Sequence, residues 1–337
     1  MSFIERIFTQ AKSNKKRIIL PEATDIRILE AASQVTRDGI ADIVLLGDAD
    51  EVNKLAAENN IDISASQVVD YLNSPNRQRY ADAYYEMRKH KGVSPEDALA
   101  AMDDETYFAC MMLKQGEADG IVSGAVNSTA QTLSPALRII KTAPDAKLVS
   151  AFFIMQVPNS EYGEDGLFAF GDSGMVEDPN VEQLSEIAIQ TAESFEALSG
   201  HEAKVAMLSY STKGSARSHL TEKVIEATKL AQEKAPGLKL DGELQLDAAI
   251  VPDIGAKKAP GSDVAGTANV LIFPNLDAGN IGYKLVQRLA NADAYGPLTQ
   301  GLAAPINDLS RGSTVDDILG VIGITAVQAQ NLEVRGE

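Results

Sequence analysis

The segment NDLSRGSTVDD, residues 307–317, holds the residue types best suited to chemistry. Arg311 offers a planar, permanently charged set of donors that matches a phosphate or a carboxylate. Ser310 can donate or accept one hydrogen bond, and Asp317 lies near enough in sequence to share one pocket with both. The segment therefore favours a reaction on an anionic substrate that depends on Ser, Arg and Asp side chains.

Asp317 has two interpretations, which the residues alone leave open. Thr314-x-x-Asp317 has the form of a capping box before a helix predicted from about residue 315 to 327, and the helix dipole favours a carboxylate there. The pKa of an ordinary aspartate lies about 4.6 units below that of a thiol, so complete proton transfer from the thiol to the aspartate costs roughly 6 kcal/mol. A base role therefore requires proton transfer concerted with attack, or burial of the carboxylate.

Two further loops resemble 307–314 in composition, namely SGAVNST at 123–129 and SYSTKGS at 209–215. Each follows a predicted strand and precedes a predicted helix, where free backbone N–H groups and hydroxyls suit a phosphate. The alternative is that Ser, Thr and Gly simply form turns and N-caps. Three such loops in one chain favour an anionic ligand, with Ser128 and Thr129 as candidate contacts.

Absent motifs and composition exclude several classes of function. The sequence has no G-x-G-x-x-G after a strand, no G-x-x-x-x-G-K-[ST] and no G-x-S-x-G. Its three histidines lie far apart and its one cysteine has no ligand spacing, so we predict no metal site. A net charge of −18 argues against nucleic acid and acidic membranes as partners. With one cysteine, an amphipathic start and no apolar run near 20 residues, we expect a soluble cytoplasmic protein.

The elements that position these loops alternate between short β-branched runs and longer helical patterns. This alternation predicts an α/β fold with mainly parallel sheets covered by helices on both faces. The length of 337 residues suggests two domains. The predicted strands are 17–20, 42–46, 120–123, 147–155, 167–170, 204–209, 246–251, 270–273 and 301–306, with helices at 105–114, 181–198 and 216–233 among others.

Several long segments resemble the phosphate acetyltransferase (phosphotransacetylase) family in its short, single-module form. The resemblance runs from about residue 16 to 324. It implies two three-layer α/β domains with a cleft between them, in the isocitrate/isopropylmalate dehydrogenase-like fold, with residues 1–147 and 305–337 in the first domain and 148–304 in the second. The segments that carry it are LPEATDIRILEAA, MRKHKGVSPEDA, SGAVNSTAQTLSPALRIIKT, LSYSTKGSA, LDAAIVPDIGAKKAPGSDVAGTANVLIFPNLDAGNIGYKLVQRLA and PINDLSRGSTVDDILGVIGIT.

The resemblance also implies a reaction, in which a homodimer transfers an acetyl group reversibly between coenzyme A and phosphate. Attack by the CoA thiolate is direct, and no cofactor is tightly bound. By position in the matching motifs, Asp317 takes the thiol proton, Ser310 orients the thiol or the carbonyl, and Arg311 holds phosphate and the developing oxyanion.

The CoA and substrate contacts follow from the same resemblance. Arg88 matches an arginine that contacts the nucleotide phosphate of CoA, and Arg288 matches one implicated in substrate binding. Lys258 is a secondary candidate for a basic patch. Arg88 has a simpler interpretation, because basic residues before Gly92 complement the dipole at the end of a helix.

One position departs from the family pattern. Where members commonly carry an arginine, this chain has Ser134 in the segment TLSP. Arg138 lies one helical turn further on the same face, so we expect it to reach the same phosphate.

Alternative functions remain open at this stage. Phosphate butyryltransferase shares fold and chemistry, and a methylene or two in the acyl pocket is worth only about 1–3 kcal/mol. A non-catalytic module that senses acyl-CoA belongs to another class and is disfavoured because Ser310, Arg311 and Asp317 occur together. An NAD-dependent dehydrogenase is suggested by fold analogy alone.

Overall fold

The computed structural model describes residues 1–335, which form two compact units. Unit 1 comprises Met1–Asp145 and Leu302–Glu337, and unit 2 comprises Ala146–Gly301. The chain therefore leaves the first unit once, builds the second and returns. Each unit contains its own β-sheet.

Unit 1 is built on a five-stranded, fully parallel sheet with the spatial order β11-β4-β1-β2-β3. Its central strand carries Ile18, Ile19 and Leu20, which are fully buried, as expected for a parallel sheet covered on both faces. The strands are β1 (Arg17–Leu20), β2 (Asp42–Leu46), β3 (Gln67–Val69), β4 (Gly120–Ser123) and β11 (Ile306–Asp308).

Eight α-helices and one 3₁₀ turn surround this sheet among the described residues, and capping side chains begin most of the helices. Asp25, Asp48, Asp104 and Ser128 each accept a backbone N–H from the first turn that follows. The helices are α1 (Phe3–Ser13), α2 (Ile26–Arg37), α3 (Ala49–Glu58), α4 (Arg77–Arg88), α5 (Pro95–Ala101), α6 (Glu105–Lys114), α7 (Thr129–Ile139) and α13 (Val315–Arg335), with a 3₁₀ turn at Lys89–Lys91.

Unit 2 contains a six-stranded mixed sheet with the order β10-β5-β6-β9-β7-β8. Strand β5 pairs antiparallel with both β10 and β6, and the remaining pairs are parallel. In its core the rings of Phe153 and Tyr283 stack with centroids 4.0 Å apart. The elements are β5 (Ser150–Gln156), β6 (Leu167–Gly171), α8 (Val181–Ser199), β7 (Lys204–Leu208), α9 (His219–Lys234), β8 (Lys239–Leu244), α10 (Leu246–Ile250), α11 (Pro252–Lys258), β9 (Val270–Ile272), α12 (Leu276–Leu289) and β10 (Asp293–Gln300).

The predicted strand at 246–251 is wrong, because the segment forms helix α10. A short apolar run does not distinguish a strand from a buried helical turn, and here Ala248 and Ala249 are buried while Leu246 is half exposed. The predicted strand at 301–306 is also misplaced, since pairing with β4 begins at Ile306 and includes the polar Asn307 and Asp308.

Three strands have no counterpart in the sequence-based prediction. Strand β10 contains Gly296 and Pro297, two residue types that predict the end of a strand. It forms nevertheless because it lies at the edge of its sheet, where proline is tolerated. Strand β8 contains Gly242 and charged residues, and β3 is only three residues long. Their pairing supplies the stabilisation that local propensity lacks.

No helix among residues 1–335 is both long enough and apolar enough to cross a membrane.

Candidate active site

Three loops of unit 1 meet at one edge of its sheet. They follow the neighbouring parallel strands β1, β4 and β11, and the carboxyl ends of parallel strands lie on the same side. In open α/β sheets this is the edge at which ligands bind. Residues 21–25, 124–128 and 309–314 therefore form the candidate site within this unit.

The loop after β4 does not offer the free amides that its composition suggests. The buried Glu22 carboxylate accepts the backbone N–H groups of Ala125, Val126 and Asn127 at 2.8, 3.0 and 2.7 Å. These are the groups that a bound phosphate would use. The Glu22 carboxylate already accepts these three N–H groups, so they are not available to a substrate anion.

Ser128 and Thr129, both predicted as substrate contacts, lie at the start of α7. Ser128 Oγ accepts the Gln131 N–H, and the Gln131 side chain in turn accepts the Ser128 N–H at 2.9 Å. This is a capping box, the simpler of the two interpretations. Thr129 is exposed on the first turn.

The amides of loop 209–216 in unit 2 are likewise bound by groups of the protein itself. The buried Glu243 carboxylate accepts the Gly214 N–H at 2.9 Å, and its carbonyl accepts the Lys213 N–H at 3.1 Å. The Lys213 ammonium forms an ion pair with Asp241. The expectation of free amides is therefore wrong for this loop as well.

The loop after β11 differs from the other two. Neither the Ser310 N–H nor the Arg311 N–H donates a hydrogen bond in the part of the chain that the structure describes. Both side chains are exposed, and Arg311 forms no ion pair with a described residue. Ser310 Oγ accepts the Gly312 N–H at 3.3 Å, which leaves the hydroxyl proton free to point outward. Amides, hydroxyl and guanidinium remain available to an anion here.

Asp317 forms the predicted capping box with Thr314. Its Oδ2 accepts the Thr314 N–H at 2.8 Å, and Thr314 Oγ1 accepts the Asp317 N–H at 3.2 Å. Oδ1 has no hydrogen-bond partner among residues 1–335. A cap and a proton acceptor are therefore compatible, since each interpretation needs a different oxygen of the same carboxylate.

Asp308, the last residue of β11, is a buried acid that the sequence did not single out. It is 2% exposed, and neither carboxylate oxygen has a hydrogen-bond partner within residues 1–335. Burial raises the pKa of Asp308 to about 6; the charge of Glu22 adds to this, and the nearby hydroxyls of Thr129 and Thr132 oppose it. A β-carbon on Gly124 would overlap Asp308 Oδ1, so only glycine fits opposite this carboxyl.

Replacing Asp308 by asparagine is expected to change how stability depends on pH. The folded state holds the Asp308 proton more tightly than the unfolded state, so the stability from this group is complete below about pH 4 and is lost as the pH rises through about 6. Asparagine does not ionise. Urea unfolding should show Asp308→Asn gaining about 3 kcal/mol over wild type between pH 4 and 7. Asp316→Asn, at an exposed position, is the control and should show no such gain.

Two predicted CoA contacts, Arg88 and Arg138, lie in one region of unit 1. Arg138 Nη1 donates to the Tyr107 hydroxyl at 2.7 Å, and the Tyr107 ring packs edge-on against Tyr84 with centroids 5.7 Å apart. Tyr84 is one helical turn before Arg88 on α4. Helices α4, α6 and α7 thereby bring both arginines to neighbouring elements.

Neither arginine is neutralised by a carboxylate of the described residues. Arg88 Nε is buried and has no hydrogen-bond partner among them, whereas the adjacent Lys89 forms an ion pair with Glu86. Unpaired guanidinium groups on an acidic protein are suited to the phosphates of a ligand.

The remaining predicted contacts, Lys258 and Arg288, belong to unit 2. Lys258 ends α11 and donates to Asp247 Oδ2 at 2.8 Å, so its charge is already paired. Arg288 is exposed near the end of α12 and has no carboxylate partner in the described part of unit 2. Of the two, Arg288 is the better placed electrostatically to bind an anion.

Within residues 1–335, no group of three or more His, Cys, Asp or Glu side chains is arranged to hold a metal ion.

Sequence reasoning missed Glu22, Arg27 and Asp308. The predicted sites lie in loops rich in Ser, Thr and Gly, whereas Glu22 and Arg27 lie in PEATDIR directly after the central strand. The position of this segment directly after a predicted parallel strand could have indicated these residues, because any loop at the carboxyl end of such a strand can line a site. Asp308 was assigned to a loop, and its burial becomes visible only when β11 pairs with β4.

The chain is similar to known proteins over nearly its whole length. The phosphate acetyl/butaryl transferase family matches residues 2–326. A phosphate acetyltransferase of Acetivibrio thermocellus is 59% identical over 98% of this chain and 99% of its own length, and one of Thermoanaerobacterium thermosaccharolyticum is 56% identical over 98% and 100%. The crystal structure of a phosphotransacetylase from Streptococcus pyogenes matches with a TM-score of 0.92 at 41% identity, covering 98% of this chain and 100% of that one.

The chain belongs to the phosphate acetyl/butaryl transferase family. The α/β fold class and the family predicted from the sequence are thereby confirmed.

Proposed function

We propose that the protein transfers an acetyl group reversibly between coenzyme A and phosphate. The observation that carries this proposal is the loop 309–314, where the amides of Ser310 and Arg311 and the Arg311 guanidinium have no partner among residues 1–335. Asp317, with its free Oδ1, lies on the first turn of α13, the helix that follows the loop. An anion site next to a proton acceptor suits attack by a thiol on an acyl phosphate.

In this proposal the phosphate group of acetyl phosphate binds to Arg311 and the loop amides. The CoA thiol gives its proton to Asp317 Oδ1 as its sulfur attacks the acetyl carbon. The bond between that carbon and the bridging oxygen breaks, and phosphate leaves with the electron pair. Ser310 donates its hydroxyl proton toward the carbonyl oxygen, where negative charge develops.

The phosphates of CoA bind to Arg88 and Arg138 in this scheme. Both guanidinium groups lack carboxylate partners in the described chain. The Tyr84–Tyr107 contact joins α4 to α6, and the Arg138–Tyr107 hydrogen bond joins α7 to α6. Arg138 then compensates for the arginine that Ser134 replaces. A second substrate contact comes from Arg288, whereas the pairing of Lys258 with Asp247 disfavours Lys258.

Arg138→Ala is expected to raise KM for CoA by about tenfold to a hundredfold, the usual cost of a lost charged hydrogen bond. KM for acetyl phosphate should stay nearly unchanged, because that substrate does not reach these helices. Steady-state kinetics with CoA and with 3′-dephospho-CoA measure the effect, and Arg88→Ala provides the comparison. If Arg138 binds the 3′-phosphate, its loss should raise KM far less for 3′-dephospho-CoA than for CoA. Equal increases with both substrates would contradict that contact.

The function itself is tested by mixing the purified protein with acetyl phosphate and CoA and following thioester absorbance. Turnover with acetyl phosphate that exceeds turnover with butyryl phosphate supports the proposal. The reverse order would identify a phosphate butyryltransferase. Tight binding of acetyl-CoA without any turnover would identify a non-catalytic sensing module.

We also propose that the protein acts as a cytoplasmic homodimer without a tightly bound cofactor. An exposed apolar stripe on α12 supports the dimer, since Ile281, Leu285 and Leu289 recur at helical spacing and are each more than half exposed. A second copy could cover such a stripe. Size-exclusion chromatography with light scattering would measure the mass of the protein in solution. A monomer at all concentrations would refute the dimer.

A further inference from the structure

Arg27, on the first turn of α2, connects all three loops of the candidate active site. Its Nη1 donates to the carbonyl oxygens of Arg311 and Ser313 at 3.0 and 2.8 Å. Its Nη2 donates to the Ala125 carbonyl at 2.9 Å and to Asp25 Oδ2 at 2.7 Å, and its Nε donates to Asp25 Oδ1 at 3.0 Å. Every N–H of the guanidinium therefore has an acceptor.

The peptide unit between Arg311 and Gly312 is held from both sides. Arg27 binds its carbonyl oxygen, and Ser310 Oγ accepts its N–H. Fixing this plane fixes where the Arg311 side chain begins and which peptide N–H the Ser310 Oγ accepts. The amides of Ser310 and Arg311, which donate to no described residue, then remain available to an anion.

Asp25 keeps the guanidinium in place. Burial alone would raise the pKa of Asp25, but the hydrogen bonds and charge of Arg27 bring it below its ordinary value. The pair therefore stays ionised at neutral pH. The two carboxylate oxygens of Asp25 and the backbone carbonyls of two loops together accept all the N–H groups of a planar guanidinium. A lysine ammonium cannot donate to all of these acceptors at once.

We infer that Arg27 is a positioning residue for acyl transfer, holding the 309–314 loop against the 124–128 loop so that Ser310 and Arg311 meet the substrate phosphate. The inference rests on the proposed function. Arg27 itself faces backbone carbonyls and Asp25, and it does not contact substrate in this arrangement.

The test compares Arg27→Lys and Arg27→Ala with the same changes at Arg37, an exposed residue at the far end of α2 paired with Asp38. We expect Arg27→Lys to lower kcat about tenfold to a hundredfold, the usual cost of a small misplacement, with KM for CoA within twofold. Millimolar guanidinium should restore part of the kcat of Arg27→Ala and leave the Arg37 variants unchanged. Arg27→Lys keeps the charge and near-native size, so it serves if Arg27→Ala does not fold.

Hydrogen–deuterium exchange gives a second readout that does not depend on activity. The hydrogen-bonded amides of this loop, those of Leu309, Gly312, Ser313 and Thr314, should exchange at least about tenfold faster in Arg27→Lys. The amides of 209–216 in unit 2 should not change. Inactive wild type would refute the proposed function alone, and the exchange rates would still decide the role of Arg27. An active wild type with Arg27→Lys within threefold in kcat, or unchanged exchange at 309–314, would overturn the inference.

Discussion

Asp317→Asn is expected to lower kcat by roughly 10²–10⁴ while the melting temperature barely moves. The amide oxygen of asparagine can still accept the Thr314 N–H, which Oδ2 accepts at 2.8 Å in the structure, so the helix cap persists. Asparagine does not take a proton, so the function proposed for Oδ1 is lost. Steady-state turnover and thermal unfolding of the same preparations measure the two effects separately.

The pH dependence adds a stricter requirement to this prediction. As the pH approaches the thiol pKa of about 8.5, CoA ionises to the thiolate in solvent without a protein base. The loss of kcat in Asp317→Asn should therefore shrink as the pH rises. Asp316→Asn is the matched control, because Asp316 is an exposed carboxylate on the same first turn of α13. A variant that is thermally weakened by about 1 kcal/mol but turns over normally would leave Asp317 as a cap only.

Arg311→Ala is expected to cost about 3–4 kcal/mol of transition-state stabilisation, or roughly 10²–10³ in kcat, with the fold intact. Its guanidinium is exposed and forms no ion pair with the described residues, so no protein interaction is lost. What is lost is charge and a planar donor fork at the phosphate. Rates measured against both substrates, with circular dichroism of the variant, give the result.

Arg311→Lys distinguishes charge from geometry in the same assay. Lysine retains the charge but not the fork, so its kcat should lie between those of wild type and Arg311→Ala. The Arg37→Ala variant, at an exposed arginine paired with Asp38, should match wild type. If Arg311→Ala turned over within threefold of wild type, Arg311 would have no part in the mechanism.

Occupied and unoccupied amides separate three loops that look alike in sequence. All three are rich in Ser, Thr and Gly, but the buried Glu22 and Glu243 fill two of them. Glu22 lies about a hundred residues before the loop that it fills, and Glu243 about thirty residues after its loop. Composition around a single loop therefore does not show whether its N–H groups are available to a ligand.

Local pattern in the sequence was sufficient for much of the molecule. Strands β1, β2 and β4 and helix α6 begin and end where periodicity predicts, because continuous apolar runs and capping residues encode them locally. The Thr314–Asp317 capping box is equally local, since its hydrogen bonds join residues three apart. The family was recognisable for a similar reason, because long stretches such as PINDLSRGST are specific in themselves.

Only the tertiary structure decided the features that depend on distant residues. Strand β10 is stable despite Gly296-Pro297 because it pairs with β5, which lies far earlier in the chain. Asp308 becomes a buried acid only when β11 joins β4, and burial is what raises its pKa. Arg27 acquires its partners from segments about 100 and 285 residues away. Desolvation and hydrogen bonding of this kind are set by which segments meet in space, and no local spacing records that.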